Sequence, residues 1–272
     1  MIDHYPTRKE TEGRFMDRVD PIGPKAFKSY ERDGYMIFKD FFYAENIAKC
    51  LEDDHAGFST MEPGQNILRS MTGVHHLGYI KDLSKNADML DFVKEILGGP
   101  CYIHQSRINY KAPVSGSGWS WHSDFETWHA QDGMPRMRCV TAMIPLTPNT
   151  EVNGSLMVIP GSHKYFYSCR KEPEVSAEEN FADQKEGVPP KEAILEFYER
   201  CGMGIKMITC QPGDLVLFDC NLIHVSTANL SPNPRTNLFF VYNSVENQLV
   251  EPFSASCYRP ESMGTRNNIT SM

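Results

Sequence analysis

Gln211-Pro212-Gly213-Asp214-Leu215-Val216-Leu217-Phe218 passes from a turn signal straight into an apolar run. A short run of this kind, entered through Pro and Gly, reads as a strand buried on both faces. Working outward, the texture from Cys101 onward is β, with strands expected over 102–110, 137–146, 155–159, 205–209, 214–218 and 238–244. Turn signals such as Asn153-Gly154 and Pro160-Gly161 separate them. Many short strands punctuated by Gly and Pro predict a mainly β fold with a double-stranded β-helix core, a jelly roll of cupin-like type, flanked by helices. Upstream, residues 1–23 read as an extended, proline-punctuated arm, 24–34 as a short helix ended by glycine, 35–38 as a strand and 44–51 as a helix. Residues 53–80 read as irregular, and 83–97 as a helix closed by Gly98-Gly99. The stretch 171–202 is charged, carries Pro189-Pro190 and turns helical in its second half, as an insertion into the barrel would. The expectation is one domain over 1–272, with arm and supporting helices in 1–100 and the jelly-roll core in 101–255.

His224 follows the apolar run and is placed to point into the barrel mouth. Far upstream stands Trp121-His122-Ser123-Asp124. On a strand, side chains alternate with period two, so His122 and Asp124 would share a face. Two histidines and one carboxylate on one face leave coordination positions open, the ligand set of non-haem Fe(II) oxygenases. Arg235, 11 residues past His224, offers a planar guanidinium able to clamp the far carboxylate of a diacid bidentately. His-x-Asp alone is a weak signal, since a core histidine followed by a capping aspartate gives the same letters. The neighbouring Phe125-Glu126-Thr127-Trp128-His129, dense in aromatic and polar groups, suits a pocket lining. His75-His76 lacks a carboxylate at ligand spacing and reads as a pair of solvated loop histidines.

The run from Tyr102 to Lys111 (YIHQSRINYK), the block from Trp121 to Met137 (WHSDFETWHAQDGMPRM), Asn153 to His163, and Leu217-Phe218-Asp219-Cys220-Asn221 together resemble the ectoine hydroxylases. These form a branch of the phytanoyl-CoA-dioxygenase-like Fe(II)/2-oxoglutarate dioxygenases. Tyr5-Pro6-Thr7-Arg8 at one end, and residues 237–253 with Arg259-Pro260-Glu261 at the other, extend the resemblance over nearly the whole chain. It implies iron on His122, Asp124 and His224, and 2-oxoglutarate at Arg235 with Lys111, Asn109 and Trp119 nearby. It implies the substrate ring against Gln105, Trp128, Phe218 and Phe239. The reaction implied is hydroxylation of ectoine to 5-hydroxyectoine, with O2 as the second cosubstrate and succinate and CO2 released. Three positions depart from the family pattern: Trp119 replaces a usual Phe, Met143 a small polar residue, and Val225 the Gly after the second histidine.

Composition narrows the classes. A net charge of −8 disfavours nucleic acid and anionic membrane as partners. The first residues lack an apolar signal core and no long uncharged apolar run occurs, so a cytoplasmic enzyme with a small-molecule substrate is expected, and a homodimer is compatible with it. Eight cysteines without a CxxC pair read as small hydrophobes and free thiols. Triplets at Asn153, Asn229 and Asn268 match the glycosylation pattern by chance. Two other readings stay open: a hydroxylase of free proline or another cyclic amino acid, and a jelly-roll protein that binds a small ligand without turnover.

Overall fold

The computed structural model describes residues 4–10, 13–21, 27–58, 70–170, 176, 179, 184–267 and 269–272. Its strands are β1 (Arg14–Asp17), β2 (Tyr35–Phe38), β3 (Ser70–Thr72), β4 (Cys101–Lys111), β5 (Trp119–His122), β6 (Cys139–Pro145), β7 (Leu156–Val158), β8 (Tyr165–Ser168), β9 (Lys206–Ile208), β10 (Leu215–Asp219), β11 (His224–Ser226) and β12 (Arg235–Ser244). The helices are α1 (Lys28–Asp33), α2 (Ala44–Phe58), α3 (Gly78–Leu83), α4 (Ala87–Leu97), α5 (Asp124–Thr127) and α6 (Lys191–Cys201). A six-stranded sheet runs β2-β10-β6-β12-β4-β3 and a four-stranded sheet runs β5-β11-β7-β9, every pairing antiparallel. These are the two sheets of a double-stranded β-helix.

The apolar run that opened the sequence reading is β10, buried throughout because both its faces are covered. Leu215 and Leu217 join Val140, Ala142, Ile144, Leu238 and Phe240 in a core under α2, α3 and α4. Val216 and Phe218 point the other way, where they meet Met143, Leu156, Val158, Ile208 and Phe239 from the two facing sheets. His122, His224 and Arg235 line this inner space.

Strand β4 has a discontinuity that decides its chemistry. In the ladder with β12, Val241 pairs with Gln105 while Tyr242 pairs with Ile103, so His104 is an extra residue. Cys101 and Ile103 before it face the helix-covered core, and so does Ile108 after it. The parity is therefore inverted at His104, which brings Arg107 and Asn109 to the inner cavity.

Several expectations change. The first hundred residues do more than support the barrel, because β2 and β3 are strands of the six-stranded sheet. Part of 53–80 is regular: α2 continues to Phe58, and β3, a 3-10 turn at Val74–His76 and α3 follow. His75 is held by Ser106, whose Oγ lies 2.6 Å from the ring Nδ1, so it is not a solvated loop residue. The arm is not simply extended either, since β1 pairs with β8 and Tyr5 and Arg8 are buried. Helix α4 matches its reading. Asn86 Oδ1 accepts from the Met89 amide at 2.9 Å, a cap worth about 1 kcal/mol, and Gly98 adopts the left-handed conformation that ends the helix. In the 171–202 stretch, α6 supplies the expected helix, while 171–175, 177–178 and 180–183 lie outside the described residues. No cysteine is in a disulfide, and all but Cys201 and Cys257 are buried. Asn153 and Asn229 of the chance triplets are buried too, and Asn268 lies outside the described residues. No described helix is long and apolar enough to cross a membrane.

Candidate metal centre

The two motif residues do not share a strand. Strand β5 ends at His122, Ser123 caps the next element, and Asp124 is the first residue of α5. Ser123 Oγ accepts from the Glu126 amide at 3.3 Å, which turns the chain sharply and swings the Asp124 carboxylate back toward His122. His224 also departs from its reading as the end of the apolar strand. After Asp219 the chain leaves the six-stranded sheet, and His224 opens β11 in the other one, directly opposite His122.

The crossing between the sheets is held rigidly. Arg18 Nη1 donates to Asp219 Oδ1 at 2.8 Å, and the same oxygen accepts from the Asn221 amide at 2.9 Å. Asn221 Nδ2 donates to the Tyr165 carbonyl at 2.8 Å, and the Ile223 amide donates to Ser162 Oγ at 2.9 Å. The Phe125 amide donates to the Cys220 carbonyl at 2.8 Å, tying the helix of Asp124 to the loop that carries His224.

His122, Asp124 and His224 each offer one ligand atom, and these lie within 4.8 Å of one another. His122 Nδ1 donates to the Ser120 carbonyl at 2.7 Å and His224 Nδ1 to the Leu222 carbonyl at 2.9 Å. Those bonds fix the tautomer that leaves each Nε2 lone pair available to a metal. Burial, then repulsion from His122, pushes His224 down to about 4, so its imidazole is neutral at pH 7. For Asp124, burial acts upward, but His122, His224 and Arg107 outweigh it and hold the carboxyl well below the usual range. Its Oδ2 is buried without a hydrogen-bond partner among the described residues. Two imidazoles with free Nε2 atoms and an ionised carboxylate with an unsatisfied oxygen fit a divalent transition metal.

Beside this triad is a cavity lined by Arg107, Asn109, Trp119, His122, Met143, Leu156, Phe218, His224, Ser226, Arg235, Asn237 and Phe239. Arg235 opens β12 opposite Lys111, and its Nη2 donates to the Gly154 carbonyl at 3.0 Å. Burial pushes its guanidinium down to about 10, and no carboxylate pairs with it among the described residues. Its Nε has no hydrogen-bond partner among the described residues. A buried cation of this kind is a site for an anion. Lys111 reaches across to donate to Ser226 Oγ at 2.8 Å and to the Thr227 carbonyl, closing the same end of the barrel.

Of the residues singled out from sequence, His122, His224, Arg235, Asn109, Trp119, Phe218 and Phe239 line this one cavity, and Asp124 completes the triad. Gln105, Lys111 and Trp128 are not in its lining. Trp128 is packed with Tyr5, Phe125, Met134 and Met137, its ring edge-on to His104 at 5.2 Å. Phe125 and His129 also pack there, so the aromatic run after Asp124 is packed against the arm, outside that lining. Gln105 is buried two positions along β4 from Arg107, and neither amide atom has a partner among the described residues. Arg107 was missed, although the period-two stripe Gln105, Arg107, Asn109, Lys111 signals it. Its guanidinium lies 5.1 Å from the centre of the Phe239 ring and 3.9 Å from Asp124 Oδ1, with Nε unpartnered.

Two imidazoles and one carboxylate beside one cavity inside a double-stranded β-helix define the class of non-haem Fe(II) oxygenases. The family model described as "Phytanoyl-CoA dioxygenase (PhyH)" matches residues 30–237. The chain belongs to the phytanoyl-CoA dioxygenase family. Among curated relatives, the ectoine dioxygenase of Halomonas elongata is 42% identical over 282 residues, covering 95% of this chain and 84% of that protein. The crystal structure of EctD from S. alaskensis with 2-oxoglutarate and 5-hydroxyectoine superposes with a TM-score of 0.85 at 36% identity, covering 97% of this chain and 95% of that one. The same protein with bound Fe gives a TM-score of 0.86 at 35% identity, covering 99% and 97%.

Acid sensitivity follows from three imidazoles. Burial pushes His75, His163 and His224 each down to about 4. The unfolded chain takes up these protons near pH 6.5, whereas the fold refuses them until about pH 4. The unfolded state therefore binds more protons inside that window, so stability rises with pH across it and is lost on acidification. The thermal midpoint of the metal-free protein is expected to fall steeply from pH 6.5 to 4, and less so in His163→Gln. A midpoint that stays level across the window contradicts this.

Proposed function

We propose that this chain hydroxylates ectoine to 5-hydroxyectoine, using Fe(II), 2-oxoglutarate and O2 and releasing succinate and CO2. The observation that carries the reading is one cavity bounded by the triad histidines, by the carboxylate-free Arg235 and by a second cation, Arg107, set on an aromatic face. Iron held by His122, Asp124 and His224 would supply the oxidising chemistry that couples decarboxylation of the 2-oxo acid to hydroxylation.

The chain's own residues then divide the remaining work. Arg235 holds the distal carboxylate of 2-oxoglutarate, as a planar fork suits a carboxylate better than a point charge. Asn109, Trp119 and Ser226 share that cavity, and Lys111 stands just beyond Ser226. Ectoine is a small cyclic zwitterion with an amidinium and a carboxylate. Arg107 pairs with its carboxylate, while Phe218 and Phe239 offer π faces to the delocalised cation. The unpartnered Gln105 amide, deeper along the same strand, is available to the ring nitrogens. Trp128 acts as packing behind this wall through His104. Apolar walls around the triad exclude water from a reactive centre. The three departures from the family pattern meet the cavity differently: Trp119 and Met143 line it, and Val225 does not.

The test is a substrate panel read by mass, with Fe(II), 2-oxoglutarate and ascorbate supplied. Ectoine is expected to yield a product heavier by one oxygen, and free L-proline to react far more slowly. Good turnover of proline or pipecolate, with ectoine provoking only succinate release, overturns the substrate. In Arg107→Gln the ectoine KM is expected to rise about ten- to a hundredfold, the equivalent of losing a charge-assisted pair of roughly 1.5–3 kcal/mol. An unchanged ectoine KM removes Arg107 from the substrate site.

A further inference from the structure

The stretch Tyr5-Pro6-Thr7-Arg8 takes no part in the cavity, yet Tyr5, Thr7 and Arg8 are buried. It lies along the helix that begins with Asp124. The Tyr5 ring meets Phe125 edge-on at 5.4 Å, its hydroxyl donates to Asp20 at 2.6 Å, and its carbonyl lies 3.1 Å from His129 Nε2. Arg8 forms a bidentate fork on Glu126: Nε donates to Oε1 at 2.7 Å and Nη2 to Oε2. Its remaining nitrogen, Nη1, donates to Glu186 Oε2 at 3.1 Å. Both carboxylates and the guanidinium are almost completely withdrawn from solvent. Glu126 Oε1 also accepts from the Cys169 amide at 3.3 Å, and Glu186 accepts from Gln131.

Gly187 lets the chain close over this fork. A Cβ there would lie 2.6 Å from Thr127 Oγ1 and 2.9 Å from both Arg8 Nη2 and Glu126 Oε2, and its φ is +72°. The sequence Ser123-Asp124-Phe125-Glu126 is that of a capping box, in which the glutamate side chain would turn back to the serine amide. Here only the serine half forms, because Arg8 takes both glutamate oxygens. The four α-helical residues run directly on into the π-helical stretch Trp128–Asp132, and a helical piece this short takes its direction from outside contacts.

We propose that Arg8 is a positioning residue for the metal ligand Asp124: through Glu126 it sets the orientation of the helix that presents the carboxylate. The N-terminal arm is then part of the metal centre's support, and the segment after the 171–183 stretch is clasped to the same guanidinium by Glu186. This rests on the assignment of Asp124 as an iron ligand.

The test uses the full-length protein, freed of metal, with Co(II) as the probe and calorimetric binding as the readout. Product and succinate are measured separately on the iron-loaded enzyme. In Arg8→Gln, Co(II) affinity is expected to fall about ten- to a hundredfold, the range seen when groups supporting a metal ligand are changed. Succinate formed per hydroxylated product is expected to rise, and added guanidinium ion to restore part of the affinity. Glu186→Gln, which leaves the fork on Glu126 in place, is expected to bind Co(II) as the parent does. A folded Arg8→Gln protein with parental Co(II) affinity and coupling overturns the proposal, whatever its thermal midpoint. If that variant does not fold, Glu126→Gln decides in its place, and parental affinity there overturns it equally. A parent protein that binds no Co(II) refutes instead the ligand assignment beneath it.

Discussion

Asp124→Ala is expected to abolish succinate formation while the metal-free protein stays folded. The carboxylate is the only anionic ligand of the triad, and its loss leaves two imidazoles to hold a divalent cation. The effect should exceed the roughly 10–100-fold that follows from disturbing groups behind a ligand. The fold tolerates the change because α5 keeps its Ser123 cap, its Phe125 contact to Cys220 and the Arg8 fork on Glu126. Arg107 loses an ionic neighbour at 3.9 Å, which lowers stability somewhat without opening the barrel. Succinate release and Co(II) binding by purified Asp124→Ala decide the matter. Turnover at the parental rate would remove Asp124 from the metal site.

Arg235→Lys is expected to raise the KM for 2-oxoglutarate about ten- to a hundredfold, leaving Co(II) affinity unchanged. Lysine retains the charge but exchanges a planar fork for a point donor, and one charge-assisted hydrogen bond of roughly 1.5–3 kcal/mol is lost. The separation from the metal follows from topology, since Arg235 begins β12 in the six-stranded sheet while His122 and His224 stand in the other. A KM identical to the parent's would transfer the anchoring role to Lys111, the cation opposite Arg235 in the ladder.

Much of this architecture was legible because burial on both faces writes a plain signal. Strand β10 reads as apolar throughout since each parity faces a different core, and β4, β6 and β12 fall close to their expected places for the same reason. Helix α4 announced itself by a period and a terminal glycine, while its Asn86 cap, which starts it four residues later than expected, did not. The partners of His122 were also legible, but the local geometry was not. A period-two argument put Asp124 on the strand, whereas a serine cap started a helix between them. Trp128 and His129 looked like pocket residues because aromatic density is the same signal whether the rings face a ligand or one another. Tertiary contact with Tyr5 and Phe166 decides that question, and no window around Trp128 contains it. Arg107 was hidden by the reverse error: the stripe that displays it was read one residue at a time. Short strands such as β3, three residues long, carry too little pattern to separate from a loop.

The extra residue in β4 also sets a rule for recombining this barrel with others. Upstream of His104, odd-numbered side chains answer to the helices, whereas Arg107 and Asn109, downstream, answer to the ligand space. A strand that kept every one of these residues but paired without that irregularity would present its guanidinium to the greasy underside of the sheet and its isoleucine to the reaction chamber. Chimeras and homology-guided loop swaps that keep His104 must therefore keep the irregularity with it, whereas a donor strand without the extra residue has to be aligned from Gln105 onward. Within the 105–111 frame, by contrast, every second position can be varied to retune the chamber while the seam with the helices stays untouched.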